Sequence, residues 1–343
     1  MPETMEIRLR TLTPLWTGGA DRRSDRLRVT GIIGSLRWWY EALVRGLGGY
    51  ACDPSLGSCL YDDQKPGGGI CAACRLFGTT GWARRFRLGI VSDGTEPEGP
   101  VGARQPDGDR FSAARGAREP SRPSWYFSGP GRGGAVVLSL VPLAPDFEPN
   151  VVLGLCKLIE RHAGLAARTQ LGYGWVRVED PQAFDVDSFV QQLQMAASSA
   201  LPSGTSLPAF HEMFFAEIET DRDGLTPALN ARYDVRAALR RAFPHNGELR
   251  HFVCGTVRGK REGSKLSFSQ AVRGRMRVWG WIPRTLPGGA LRDQVISEIR
   301  GALEPKGCKV RSWREHGSAR DTLSPSWPDR STFLASLLQE GQS

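Results

Sequence analysis

The stretch VTGIIGSLRWWYEALVRG, Val29–Gly46, decides the fold of the first half of this chain, because its apolar residues recur with the period of a helix. Its N-terminal end is unusual. Helix N-termini carry unpaired N–H groups and partial positive charge, so acidic or capping residues are expected there. Four arginines lead into this helix instead: Arg22, Arg23, Arg26 and Arg28. This charge predicts an anionic partner, and a phosphate group suits such a helix start.

The face of this helix opposite its apolar stripe supplies further candidate side chains. We expect Gly34, Ser35, Arg37 and Trp38 to lie at the ligand, with glycine allowing close backbone approach. Two alternatives stay open at this point. Arg37 is also spaced to pair with Glu41 at i,i+4. Trp38 is explained equally well by packing against a neighbouring segment and by stacking on a base.

Around this helix the chain alternates strand and helix patterns, in the order β-α-β-β-α-β. That order is typical of a ferredoxin-like unit. The strand patterns of this first unit cover residues 5–16, 84–92, 133–143 and 173–180, and its second helix covers 151–165 after Asn150 as N-cap. After a helix at 186–197 the order repeats, with strands at 209–219, 249–259, 274–283 and 308–313 and helices at 227–243 and 290–303. The fold class predicted is therefore α+β, with two tandem ferredoxin-like βαββαβ domains.

The predicted domains are residues 1–199 and residues 209–343, separated by a segment rich in Ser, Gly and Pro. Two insertions interrupt the first domain. One, at 48–81, holds four clustered cysteines. The other, at 92–123, is polar, rich in Gly and Pro and too long for a simple turn, which predicts a flexible loop. It is either an arm that orders on a partner or a loop without a role.

The four clustered cysteines have the spacing Cys52-x6-Cys59-x11-Cys71-x2-Cys74. A CxxC pair with two more cysteines nearby fits a structural zinc site, which four thiolates fill completely. Free thiols or a redox pair are the alternatives. Cys156, Cys254 and Cys308 stand alone in apolar sequence and are expected to be core residues.

A second glycine-rich turn, here called the glycine loop (residues 166–175), lies between the second helix and the last strand of the first unit. Its glycines permit positive φ angles and close backbone approach, while its other side chains offer a cation, hydrogen-bonding groups and stacking surfaces. The candidate RNA-binding residues here are Arg168, Thr169, Gln170, Gly172, Tyr173, Gly174 and Trp175.

Further basic residues follow the cysteine insertion and fill a run in the second unit. Arg84 and Arg85 are candidates at the first place. At the second, Lys260, Arg261 and Lys265 belong to a basic run with almost no acid interleaved, which suits a phosphate track or a subunit contact.

Composition agrees with a nucleic-acid partner without proving one. The formal net charge is +9, and 39 of the 45 basic residues are arginine, the side chain that reads phosphate bidentately. A GC-rich genome produces the same bias. No apolar run is long enough to span a membrane and no signal peptide is recognisable, so we expect a cytoplasmic protein.

Five segments together resemble a known family. In order they are TPLWTGG, RVTGIIGSLRWWYEALV, CAACRLFGTTGW, LGYGWVRV and HFVCGTVRGKREGSKLSFSQAVRGRMRVWGWIP, within Thr13–Pro283. They resemble the first RAMP subunit of the Cmr effector complex of type III-B CRISPR systems. The resemblance implies tandem ferredoxin-like RAMP domains and a place beside a sister RAMP subunit and the backbone RAMP subunit, at the end of the filament. There the subunit contacts the 3′ part of the guide RNA and the paired target RNA in antiviral defence.

Three functions follow from these patterns. The first is a non-catalytic RNA-binding subunit whose arginines hold the sugar-phosphate backbone while guide pairing selects the sequence. The second is a metal-independent RAMP-type endoribonuclease with a histidine as general base, although none of the five histidines has an evident partner. The third is an assembly subunit without direct RNA contact. We expect the first, and no enzyme activity.

Overall fold

The first strand, β1 (Met5–Thr11), forms because its residues alternate between apolar and charged side chains. Ile7 and Leu9 are buried, while Arg8 and Arg10 face outward. This is a computed structural model, and it describes residues 4–339 except 22, 58, 109–123, 180–183, 199–206, 258, 260 and 306. Arg22 and Lys260 therefore lie outside the described residues, as does most of the predicted flexible loop.

The remaining strands are β2 (Phe86–Glu98), β3 (Gly102–Arg104), β4 (Trp125–Phe127), β5 (Gly131–Pro142), β6 (Val176–Val178), β7 (Met213–Thr220), β8 (Leu266–Phe268), β9 (Arg275–Trp281) and β10 (Cys308–Glu315). The helices are α1 (Val29–Gly46), α2 (Ala72–Phe77), α3 (Asn150–His162), α4 (Val186–Ala197), α5 (Thr226–Ala242), α6 (Gly247–Cys254), α7 (Arg292–Ala302) and α8 (Arg330–Gln339). Among the described residues no helix combines the length and apolar character needed to cross a membrane.

Two four-stranded antiparallel sheets organise the chain, which confirms the predicted mixed α+β class. The N-terminal sheet has the order β2-β5-β1-β6 and the C-terminal sheet the order β10-β7-β9-β8. In each sheet, the strands that come first and third in the sequence are the two central strands. The pairing of β1 with β5 sets Leu9 opposite Val136, so their side chains join the same core face.

The hydrophobic core of the N-terminal half extends onto one face of the C-terminal sheet, and a second core covers the other face of that sheet. Trp39 of α1 packs against Phe215 of β7 with the two ring centroids 6.2 Å apart. The ring of Phe210 lies so close to Gly46 that a Cβ atom there would be 1.9 Å from it. The C-terminal helix α8 returns to pack on α3 and α4. The halves of the sequence are therefore held together by shared apolar packing.

The strand predicted at 249–259 is wrong, because α6 occupies most of it. Leu249 and Val253 are both fully buried at the i,i+4 spacing of a helix face. The Asn246 side chain accepts a hydrogen bond from the Leu249 N–H at 2.9 Å, which caps the helix. The second strand of the C-terminal sheet is instead the short β8.

The predicted flexible loop at 92–123 is wrong over its described part. Strand β2 continues to Glu98 against β5, and β3 pairs with β4 as a separate ribbon. Its polar sequence resembled a loop because most of the side chains there are exposed. The Asp107 N–H donates to Asn230 Oδ1 at 2.8 Å, so this segment rests on the C-terminal half.

The predicted N-cap at Asn150 is also wrong. Helix α3 begins at Asn150, and Pro149 takes the cap position without a side-chain hydrogen bond. The Asn150 amide instead donates to the Asp185 carbonyl at 2.8 Å, which joins the start of α3 to the start of α4. The helix predicted at 186–197 is confirmed as α4.

Candidate nucleic-acid interface

A groove of about 1030 Å³, here called the central groove, lies between the two sheets. Its walls bring together segments that are far apart in the sequence: the start of α1, the region of the glycine loop, and strands β8 and β9 with the turn before them. The lining side chains include Ser35, Trp38, Trp39, Thr169, Gln170, Phe252, Ser264, Lys265, Ser267, Trp279 and Trp281.

Helix α1 contributes Gly34, Ser35 and Trp38 to the groove. Trp38 is 39% exposed. Its ring packs edge-to-face against that of Trp39, with a centroid distance of 4.9 Å and an interplanar angle of 87°. A Cβ atom at Gly34 would meet nothing within 4 Å, so this glycine leaves open space beside Trp38. Helix α1 has no side-chain cap and no acidic residue in its first turn.

Arg37 belongs to a different environment, which corrects its assignment to the ligand face. Its Nε donates to Glu41 at 2.8 Å, its Nη1 to the Gly78 carbonyl at 2.9 Å and its Nη2 to Cys74 Sγ at 3.1 Å. All three guanidinium nitrogens are thus engaged within the protein. Because Glu41 is buried, the i,i+4 alternative describes Arg37 correctly.

The glycine loop has the backbone geometry that its sequence predicts. Gly172 and Gly174 adopt φ angles of 92° and 97°. A Cβ atom at Gly174 would lie 2.4 Å from the Leu165 carbonyl oxygen, so only glycine fits without a shift of the backbone. Thr169 and Gln170 of the same loop line the central groove.

Tyr173 and Trp175 are buried, and this corrects their assignment as stacking surfaces for a ligand. Tyr173 packs in a small aromatic cluster with Trp16 and Phe127, at centroid distances of 5.9 and 6.1 Å. The Trp175 ring is covered by the Arg277 guanidinium at 4.2 Å. Neither ring is available to an external base in this arrangement.

Arg168 sits at the left-handed start of the glycine loop, with φ of 61°. Its guanidinium lies 3.4 Å from the centroid of the Trp16 ring and donates to Ser128 Oγ at 3.3 Å. Burial lowers the pKa of Arg168. This side chain is held in place by stacking while keeping donors for a further partner.

In the C-terminal half, the basic run divides into two environments. Lys265 lines the central groove, where its Nζ donates to Glu262 at 3.1 Å and lies 4.7 Å from the Phe252 ring centroid. Arg261 is exposed to solvent. A positive charge thus enters the groove on one side, next to an aromatic wall.

The arginines before α1 and after the cysteine insertion are not among the described lining residues. Arg23 and Arg26 are exposed, and Arg28 pairs with Asp25 at 2.6 Å. The Arg84 Nε donates to the Phe86 carbonyl at 2.8 Å, and Arg85 forms an ion pair with Asp146. The structure therefore separates these arginines from the groove.

Sequence patterns missed the aromatic wall of the groove. Trp279 and Trp281 read only as an apolar strand, and Phe252 lay in a misassigned segment. Nothing in the local sequence marks these residues, because their place in the groove wall depends on the position of α1 and of the glycine loop.

The four clustered cysteines meet in one buried site, here called the cysteine cluster. Their sulfur atoms all lie within 4.8 Å of one another, and the Cys52 sulfur is 3.5 Å from that of Cys74 and 3.6 Å from that of Cys71. A tetrahedral ion with metal–sulfur bonds of about 2.3 Å places its sulfurs roughly 3.8 Å apart. The cluster therefore fits a metal ion.

Backbone and side-chain donors also surround the cysteine cluster. The Cys74 N–H donates to Cys71 Sγ at 3.4 Å, as expected in a CxxC turn that folds around an ion. Hydrogen bonds from Cys52 and Cys74 lower the pKa of the Cys71 thiol and favour the thiolate that metals bind. The hydrogen bond from Arg37 to Cys74 Sγ also places a cation beside the cluster, where it offsets the negative charge of the thiolates.

Comparison with known proteins adds the family. Residues 8–177 match the model of the RAMP superfamily. The apo crystal structure of Cmr1 from Pyrococcus furiosus aligns over 90% of this chain and 98% of its own, with 14% identity and a TM-score of 0.45. No curated protein matches the sequence.

Two further solved structures align with this chain. One is in a cryo-EM structure of the Type III-B Cmr-beta bound to cognate target RNA and AMPPnP, in the presence of ssDNA; 88% of this chain aligns with 99% of that chain, at 12% identity and a TM-score of 0.45. The other is in a cryo-EM structure of the Type III-B Cmr-beta bound to cognate target RNA. There 88% of this chain aligns with 100% of that chain, at 12% identity and a TM-score of 0.41. The match to the RAMP superfamily covers residues 8–177, which is just under half of the 343 residues of this chain.

Proposed function

We propose that this chain is a non-catalytic RNA-binding subunit of a type III-B CRISPR (Cmr) complex. It contacts the 3′ part of the guide RNA and the paired target RNA at the end of the filament, beside a sister RAMP subunit and the backbone RAMP subunit. One observation carries the proposal: Gly34, Ser35 and Trp38 of α1 meet Thr169, Gln170 and Lys265 in the central groove. Three motifs that were read separately from the sequence thus line one groove.

The strand order supports the finer assignment of the fold. Each sheet has its four strands in the order fourth, first, third, second, all antiparallel. We propose that both halves are ferredoxin-like RAMP domains, covering 1–199 and 209–343, in an antiviral protein of the cytoplasm. We also propose that the metal of the cysteine cluster is a structural zinc ion.

The described histidines give little support to the ribonuclease alternative. Burial lowers the pKa of His162 to about 3 and that of His211 to about 4, so both are neutral near pH 7. The His162 Nε2 also lies 2.7 Å from the Leu337 carbonyl oxygen, to which it donates. A general base needs a free lone pair beside the attacking hydroxyl and a pKa near the working pH.

The proposal is tested by fluorescence anisotropy of the full chain with labelled single-stranded RNA in a salt titration. Arg168→Ala and Arg261→Ala should each weaken binding and reduce the salt slope by about 0.7, the contribution of one phosphate contact in a single strand. Arg87→Ala removes an exposed arginine of β2 and serves as the matched control. Circular dichroism should show that all three variants are folded.

Three results would contradict the proposal. Cleavage of the RNA in a parallel gel indicates the ribonuclease. Failure to bind RNA at low salt, with partner subunits still bound, indicates an assembly subunit. Equal loss in all three variants means that the charge acts as a diffuse field and that neither arginine is a specific contact.

A further inference from the structure

We propose that the central groove holds an unpaired nucleobase of single-stranded RNA, with the phosphates on either side of that nucleotide left outside the groove. This inference rests on the proposed function and names the part of the RNA that the groove recognises.

The charge of the lining is the first argument. Among the described lining residues, Lys265 carries the only charged side chain, and it is already bonded to Glu262 at 3.1 Å. A groove that grips a sugar-phosphate backbone needs several cations aimed into it. The arginines proposed for phosphates do not line the groove: Arg168 lies between the lining residues Ala167 and Thr169, and Arg261 lies two residues before Gly263.

The aromatic content of the lining is the second argument. Five aromatic rings line the groove: Trp38, Trp39, Phe252, Trp279 and Trp281. Trp38 is 39% exposed there, whereas Trp39, Trp279 and Trp281 are buried behind the surface. A fixed and exposed indole face beside the open space at Gly34 is a stacking platform for a flat heteroaromatic ring.

Hydrogen-bonding groups give the groove a means to hold the edge of that ring. Ser35 and Gln170 offer hydroxyl and amide groups, and the Thr169 and Ser267 hydroxyls in the lining are bonded to each other at 3.0 Å. Mixed donors and acceptors match the polar edges of nucleobases. Such a lining is less suited to an aliphatic side chain of a protein partner, which needs no polar groups.

The groove suits a single nucleotide that lies outside a duplex. A volume of about 1030 Å³ lies near the upper end of small-molecule sites and has room for a base with its ribose. Paired bases are stacked and their Watson–Crick edges are occupied, so they have no free face to offer Trp38. Only a nucleotide outside the duplex satisfies both the stacking surface and the polar groups.

The test measures binding of the full chain to three probes of equal length: single-stranded RNA, the same strand with abasic sites, and its duplex. Trp38→Ala is compared with Trp38→Phe and with Tyr126→Ala, which removes a 71% exposed aromatic ring outside the groove. Trp38→Ala should weaken binding of the intact single strand roughly 5- to 150-fold, the range for stacking one base. Trp38→Phe should retain most of the affinity for single-stranded RNA, and Tyr126→Ala should change that affinity little.

The probes separate failure of this inference from failure of the proposed function. Support requires that abasic RNA and duplex bind more weakly and are insensitive to Trp38→Ala. If Trp38→Ala has no effect on any probe while Arg168→Ala weakens all of them, the base site is wrong and RNA binding stands. If no probe binds, both proposals fall.

Discussion

At the scale of single residues, buried carboxylates decide where the arginines of this chain point. Glu315 is fully buried in the C-terminal half and bonded to Arg292 at 2.6 Å, Arg320 at 2.9 Å and the Trp313 indole at 2.9 Å. Glu41 holds Arg37 in the same way. Composition counts every arginine as positive charge for a partner, but these are neutralised inside the protein.

Replacing Glu315 with Gln should destabilise the protein by about 3 kcal/mol, because two arginines then lose a buried partner. Chemical denaturation at pH 7 measures this change. Glu96→Gln, in β2, is the control, since Glu96 is exposed. An equal effect of the two substitutions would mean that the Glu315 network adds no stability.

The same network predicts a pH dependence. Burial raises the pKa of Glu315, but the hydrogen bond from Arg320 and the charge of Arg292 outweigh it and leave the pKa lowered. Because the pKa is lowered in the folded state, the network stabilises the protein at pH values above the unfolded-state pKa, which is near 4.5. This stability is lost as the pH falls through the folded-state pKa of Glu315. The E315Q variant should therefore lose less stability than the native chain over the same pH range.

At the scale of elements, the cysteine insertion is the segment in which local sequence predicted most. The CxxC turn becomes the start of α2, where the Cys71 side chain accepts from the Cys74 N–H. Because a turn of this kind is set by neighbouring residues, its spacing alone identified all four members of the cysteine cluster. Helix α6 shows the opposite case, since its apolar residues also suited a strand.

The purified chain should carry about one zinc ion, measured by inductively coupled plasma mass spectrometry. Cys74→Ser should reduce the zinc content to well below half, because a hydroxyl is a poor substitute for a thiolate. Acidification should release the metal as the thiolates are protonated.

Cys254→Ala provides the control for that measurement, because Cys254 lies outside the cysteine cluster. It should retain the metal. Equal zinc content in Cys74→Ser and the native chain would show that the cluster is not the metal site.

At the scale of the whole molecule, the shared core links the two sheets. Phe333, Leu334, Leu337 and Leu338 of α8 are almost completely buried in the core that also contains α1 and α3. Phe333 stacks on Phe210 with an interplanar angle of 8° and a centroid distance of 6.1 Å. The last helix of the C-terminal sequence thus completes the N-terminal half.

This packing predicts one cooperative unfolding transition, with equal calorimetric and van't Hoff enthalpies. Leu337→Ala should shift the whole transition and destabilise the protein by about 2–5 kcal/mol, the usual cost of a cavity. Leu323→Ala is the control because Leu323 is 55% exposed. Two separate transitions, of which Leu337→Ala moves only one, would show that the halves unfold independently.

The sequence by itself determined the local elements of this protein. Apolar periodicity defined β1, α1 and α4, glycine placement defined the turn at Gly174, and cysteine spacing defined the cysteine cluster, because each depends on residues close together in the chain. Tertiary structure decided which side chains meet the central groove. It buried Tyr173 and Trp175, turned Arg37 toward Cys74 and set Trp38 opposite β9. These outcomes depend on packing between segments that are distant in the chain, 37 residues apart for Arg37 and Cys74 and further apart for the others, which no local pattern encodes.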